Sequence, residues 1–188
     1  MGGRFAVFAP AWRVAEIFLI DGLSELPPRY NVAPGQPILA VLEGESGRRA
    51  ARLRWGLVPS WAKDEKIGTK LIHARSETAA SKPSFRSAMR SRRMLVPMSG
   101  FYEWKEQGGR KVPHFVRRSD GLPFAVAGLW EQWAPPGGGP SRYTATLLTT
   151  AASERLADLH HRMPVILPPD TWERWLDPRQ RDPSKLAD

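Results

Sequence analysis

Glu103 lies in the run Ser99-Gly100-Phe101-Tyr102-Glu103-Trp104-Lys105, a carboxylate set between two aromatic residues. A carboxyl group partly withdrawn from water rises in pKa and becomes suited to proton transfer. Between Ser81 and Ser119 stand ten Lys or Arg against only Glu103 and Glu106, a local balance of +8 in a chain of net charge +9. A basic surface of that kind draws in polyanions. The two features together favour chemistry on a nucleic acid. The competing reading is an ordinary strand whose Glu103 faces solvent beside Lys105 or Arg110, the usual state of a charged side chain.

Three further segments carry groups able to do chemistry. In Met1-Gly2-Gly3-Arg4-Phe5-Ala6 a strand expected from residue 3 would leave the start of the chain close to the core. In Ile72-His73-Ala74-Arg75 the two-residue period of a strand points His73 and Arg75 to one face. The third is His160-His161-Arg162-Met163-Pro164, just after a helical stretch. Neighbouring histidines do not readily share one metal, and no other ligand cluster accompanies them, so no metal site is expected. The chain has no Cys, which excludes disulfides, thiolate ligands and a thiol nucleophile. It also has no glycine-rich phosphate loop and no Gly-x-Ser-x-Gly elbow, and no cofactor is implied.

The scaffold that must position these groups is expected to be one domain spanning residues 1–188. Eighteen Pro and sixteen Gly scattered through the chain disfavour long helices and favour short strands joined by turns. Strands are expected at 3–8, 37–42, 51–55, 71–74, 94–97, 101–104, 112–116, 124–130 and 143–148. Short helices are expected at 11–20, from Ser76, and at 84–91, 154–159 and 170–175. The fold class that follows is α+β, a mainly antiparallel, barrel-like sheet with short peripheral helices. No apolar run approaches a membrane span and the N-terminus lacks signal-peptide character, so cytoplasm or nucleoid is the expected location. Nothing demands a dimer, and a monomer is the expectation. The chain ends at Leu186-Ala187-Asp188 without an obvious cap, leaving room for a short tail.

Eight motifs occur in order: Gly3-Arg4-Phe5, Tyr30-Asn31-Val32-Ala33-Pro34, Arg54 to Ala62 (RWGLVPSWA), Ala74-Arg75-Ser76-Glu77-Thr78, Lys82-Pro83-Ser84-Phe85-Arg86, Gly100-Phe101-Tyr102-Glu103-Trp104, Ala127-Gly128-Leu129-Trp130 and His160-x-Arg162-Met163-Pro164. That set resembles the SOS response-associated peptidase (SRAP) domain family, whose members cross-link to abasic sites in single-stranded DNA. The resemblance covers residue 3 to about residue 175. It implies removal of Met1, attack of the new α-amine on the abasic aldehyde to give a Schiff base, and closure of a thiazolidine by a Cys thiol. An α-amine with a reference pKa near 8 is roughly one-tenth neutral at pH 7, far more than a lysine. That supplies the nucleophile. The resemblance gives Glu103 the proton transfers at the imine, and His160 the opening of the sugar ring. It gives Arg4, Arg75, Arg86 and Arg162 the phosphates, and Trp55, Trp61 and Trp104 the bases.

Two positions depart from the family pattern. Gly2 stands where the family has Cys, so no thiazolidine can form, although a reversible imine and a weak strand-cleaving lyase activity remain open. His73 stands where the family usually has Asn, which brings a titratable ring to that place. Two other classes stay open: a non-covalent single-stranded nucleic-acid binder, which Gly2 favours, and a peptidase acting on itself. The expected partner is single-stranded DNA carrying abasic sites.

Overall fold

The computed structural model describes residues 2–186; Met1, whose removal the family resemblance implies, and Ala187-Asp188, where a short tail was expected to follow, lie outside them. Among the described residues the strands are β1 (Phe5–Val7), β2 (Arg29–Val32), β3 (Pro37–Gly44), β4 (Gly47–Trp55), β5 (His73–Arg75), β6 (Arg93–Met98), β7 (Gly100–Gln107), β8 (Arg110–Val116), β9 (Phe124–Trp133), β10 (Arg142–Ala151), β11 (Arg162–Pro164) and β12 (Ile166–Leu167), with exposed and half-buried residues alternating most clearly along β8. The short α-helices among the described residues are α1 (Ala11–Phe18), α2 (Ser76–Ala79), α3 (Arg86–Ser91) and α4 (Glu154–Ala157), set between strands, and α5 (Trp172–Leu176), which follows the last one. Among the described residues no helix is long and apolar enough to cross a membrane.

One sheet runs β11-β10-β4-β3-β6-β9-β12, and β10 also pairs with β9. Strands β4, β3, β6, β9 and β10 therefore close on themselves as a five-stranded barrel. Closure removes the exposed edges that an open sheet would leave. Most pairings are antiparallel, but β10 meets both β4 and β5 in parallel. Strand β6 is buried along its whole length. A second sheet, β2-β1-β7-β8, packs beside the barrel, with Phe5 and Phe101 on its inner face joining the common core. The α+β, mainly antiparallel, barrel-like architecture expected from the sequence is the one observed.

The basic third of the chain does not form one surface. Arg93 is buried, and its guanidinium donates to the carbonyls of Met89 (2.8 Å), Arg90 (2.8 Å), Trp175 (2.6 Å), Asp177 (2.6 Å) and Gln180 (2.9 Å). It acts as a clip between α3 and the C-terminal segment. Arg92 is neutralised by Glu131 at 2.9 Å. Of the others, Arg86 and Arg90 lie on α3, Lys105, Arg110 and Lys111 on the β7–β8 hairpin, and Lys82, Arg117 and Arg118 on the segments that adjoin them.

Candidate functional site

Strands β1 and β7 run antiparallel with Phe5 opposite Phe101 and Ala6 opposite Gly100. Beyond that pairing, the Tyr102 N–H donates to the Arg4 carbonyl at 3.0 Å, while the Arg4 N–H donates back to the Gly2 carbonyl at 2.9 Å. That tight turn lifts residue 2 off the ladder. It directs the Gly2 nitrogen onto Glu103, whose Oε1 accepts its N–H at 2.5 Å. Glu103 is 3% exposed. Its burial comes from the core side of β7, because Tyr102 and Trp104 alternate onto the opposite face. The expectation that those two rings enclose the carboxylate is thereby corrected.

Glycine at position 2 has a steric role. A Cβ placed there would lie 2.6 Å from Trp104 Cζ3 and 2.8 Å from the Tyr102 carbonyl oxygen. The indole of Trp104 occupies the volume that any larger residue 2 would need.

His73 reaches the same end of the fold through packed rings. Gly3 lies against Ile72 and Pro34, and Phe5 packs on Trp55 with ring centres 5.4 Å apart. Trp55 in turn meets His73 at 5.9 Å and donates its indole N–H to the Ile72 carbonyl at 2.8 Å. Burial pushes the His73 imidazole down to about 4 from its usual 6.5. His73 Nε2 is buried and makes no hydrogen bond among the described residues. The ring is therefore neutral at physiological pH, and the titrating proton expected there is absent from that range.

Between pH 6.5 and 4 the unfolded chain protonates this imidazole and the folded chain does not. Stability is then full above about pH 6.5 and falls by about 3 kcal/mol as the pH drops towards 4. His73→Asn is expected to flatten that segment of a plot of urea midpoint against pH. A slope that persists in the variant would place its source elsewhere.

Arg162, at the start of β11, grips Glu77 through two parallel hydrogen bonds of 2.7 and 2.9 Å. The same guanidinium donates to the Thr149 carbonyl at 2.8 Å. The Arg162 hydrogen bonds hold the Glu77 carboxyl at about 2, well below its usual range. With its fork spent on Glu77 and Thr149, Arg162 ties α2 and β10 to the His160 loop, where a phosphate contact had been expected. The Arg162 backbone N–H donates to His160 Nδ1 at 3.0 Å, and the Arg162 carbonyl lies 3.2 Å from the same nitrogen. The His160 ring also stacks on His161 with centres 4.5 Å apart.

The other expected residues divide. Trp55 is 1% exposed and belongs to the core, so it offers no face to a base. Its sequence neighbours Arg54 and Gly56 disguise that burial. Trp61 is 58% exposed and reaches the Pro83 carbonyl with its indole N–H, near the exposed Arg86. Trp104 is over a third exposed. Arg75 projects outward from β5, and Arg4 donates to Asn31 Oδ1 at 3.0 Å. Sequence reasoning missed His114, which lies directly across the β7–β8 ladder from Glu103 and therefore on the same face. The turn at Gly108-Gly109 sets that register and was its available signal.

A closed barrel whose flanking sheet seats the second residue of the chain on a buried carboxylate defines a class in which the chain's own start belongs to the candidate site. The chain belongs to the family described as SOS response associated peptidase (SRAP), whose model matches residues 1–188. It is similar to the abasic site processing protein YoqW of Bacillus subtilis (strain 168), at 45% identity over 99% of this chain and 84% of that one. The abasic site processing protein HMCES of Gallus gallus is 35% identical over 80% of this chain and 54% of its own length. The corresponding Escherichia coli (strain K12) protein YedK is 33% identical over 79% of this chain and 64% of its own. Among solved structures, a protein from Bacteroides thetaiotaomicron superposes with a TM-score of 0.87 at 27% identity, covering 98% of this chain and 86% of that one. One from Bordetella bronchiseptica does so with a TM-score of 0.83 at 27% identity, covering 98% and 92%.

Proposed function

We propose that this chain engages abasic sites in single-stranded DNA through residue 2 after Met1 is removed, and that its covalent step stops at a reversible imine. The observation that carries this reading is the 2.5 Å contact between the Gly2 nitrogen and Glu103 Oε1. A free amine at that nitrogen adds its lone pair to the aldehyde carbon, and Glu103 takes the proton released. Glu103 returns that proton to the alkoxide oxygen to give a carbinolamine, then passes the remaining N–H proton to the resulting hydroxyl, so that water leaves and the C=N bond forms. His160 assists opening of the sugar ring. The neutral, buried His73 offers the sugar a polar atom without adding charge.

Residue 2 carries no sulfur, so nothing closes a ring on the imine. The imine either hydrolyses or activates loss of the C2 proton and of the 3′ phosphate. Exposed Arg75 and Arg86 and half-buried Arg4 take backbone phosphates, while Trp61 and Trp104 meet unpaired bases. The protein works in this role as a monomer near the nucleoid.

Borohydride added to the protein with an abasic single-stranded oligonucleotide is expected to trap an adduct that peptide mass maps to Gly2. No trapped adduct, together with equal binding of abasic and intact strands, would leave a non-covalent binder. That second reading is favoured by one observation, the glycine at position 2.

A further inference from the structure

We propose that the outward face of the β2-β1-β7-β8 sheet is an aromatic platform that receives the intact nucleotides on one side of the lesion. The proposal rests on the single-strand reading above and adds a subsite to it. Tyr102 and Trp104 alternate outward from β7, and Phe115 projects outward from β8, directly opposite Tyr102. Ring centres run from Trp104 to Tyr102 (6.3 Å), Phe115 (4.9 Å), Phe8 (6.3 Å) and Tyr30 (5.4 Å) without a break.

Three local features flatten this strip against the sheet. Gly100 leaves room for the Phe115 ring, which lies where a Cβ would stand. A register shift between Phe5 and Val7 sets Tyr30 and Asn31 together opposite Ala6, so both come to the outer face. The Tyr102 hydroxyl donates to the Tyr30 carbonyl at 2.7 Å and ties the two ends together.

The occupant follows from continuity and chemistry. The strip begins at Trp104, the ring in contact with Gly2, so a strand held at residue 2 has this surface as its next support. Tyr30 is 62% exposed and Phe115 is over a third exposed, both offering ring surface to a base. Arg4 lies among them, between Tyr102 on one strand and Asn31 on the other, and supplies the cation for one phosphate. Ring-to-ring steps of 4.9–6.3 Å exceed the roughly 3.4 Å rise of a stacked strand. A strand crossing the platform is therefore drawn out and read without base pairing, with little sequence preference.

The test is anisotropy with a labelled single-stranded oligothymidylate over a salt series. Tyr30→Ala and Phe115→Ala are each expected to weaken binding roughly 5- to 150-fold while leaving the salt slope unchanged, because no charge is lost. Arg4→Ala is expected to lower that slope by about one. Tyr30→Leu, which keeps apolar bulk without a ring, should follow Tyr30→Ala. Tyr143→Ala removes an exposed ring from β10 on the other sheet and should bind as the native chain does. The loss should vanish with an abasic oligonucleotide truncated on one side of the lesion and persist with the other truncation. Native binding by both ring variants, or an equal loss in Tyr143→Ala, overturns the platform alone. A native chain that does not bind oligothymidylate overturns the single-strand reading itself.

Discussion

Gly2→Cys is expected to convert a chain that gives no SDS-stable product into one that forms a durable adduct with abasic single-stranded DNA. The thiol sulfur would add to the imine carbon as its proton passes to the nitrogen, which takes the C=N π electrons, closing a five-membered ring. The substitution is not sterically free. Its Cβ would meet Trp104 at 2.6 Å and the Tyr102 carbonyl oxygen at 2.8 Å. The carbonyl belongs to β7 and stays, so the Trp104 ring must swing outward or residue 2 must shift. Overpacking of this kind costs about 1–3 kcal/mol. With Met1 gone, residue 2 is tethered on one side only, and the partly exposed indole has room to move.

Gly2→Ala separates bulk from sulfur: it imposes the same crowding, should form no durable adduct, and should trap less with borohydride than the native chain. The readout is a denaturing gel, with intact mass used to verify that Met1 has been removed. A processed Gly2→Cys protein that forms no adduct would sink the assignment of residue 2 as the nucleophile.

Glu103→Gln carries the second large effect. The amide oxygen can still accept the N–H of residue 2, so the tight turn and the strand pairing stay in place, while the ability to take and return a proton is lost. Loss of a positioned acid–base group lowers a rate by about 10²- to 10⁴-fold. Single-turnover borohydride trapping is expected to slow by that factor, with unchanged affinity for a strand bearing a reduced, aldehyde-free abasic analogue. Slower trapping matched by weaker binding would make Glu103 a structural anchor. An unchanged trapping rate would remove it from the chemistry.

Much of the barrel could be read from residue order, because period-two alternation is a local property. The hairpin of β3 and β4 and the strands β6, β7, β9 and β10 lie close to their expected spans. Barrel closure was hidden, since it depends on β10 meeting β9 and β4 at long range. Strands β11 and β12, of three and two residues, were not recognised, their pairing with β10 and β9 being long-range.

At the site, chemical identity was easier to see than orientation. Glu103 was found, yet the rings beside it in sequence face the other way, because alternation decides the face and adjacency does not. Arg162 was found as a cation. Its partner Glu77 is 85 residues distant, and a pairing of that range leaves no local mark. Trp55 was misjudged for a related reason: what buries it are Phe5 and His73, far away along the chain.

The join between β1 and β7 also has a temporal side. The contact at residue 2 spans 101 positions. A ribosome adding about 5–20 residues per second needs on the order of 5–20 s to cover that separation. Throughout that interval residue 2 has no β7 to dock on. Only once β7 has emerged can the Gly2 nitrogen reach Glu103. On the reading proposed above, which requires Met1 to be removed, that delay is a window in which this sheet does not yet hold residue 2.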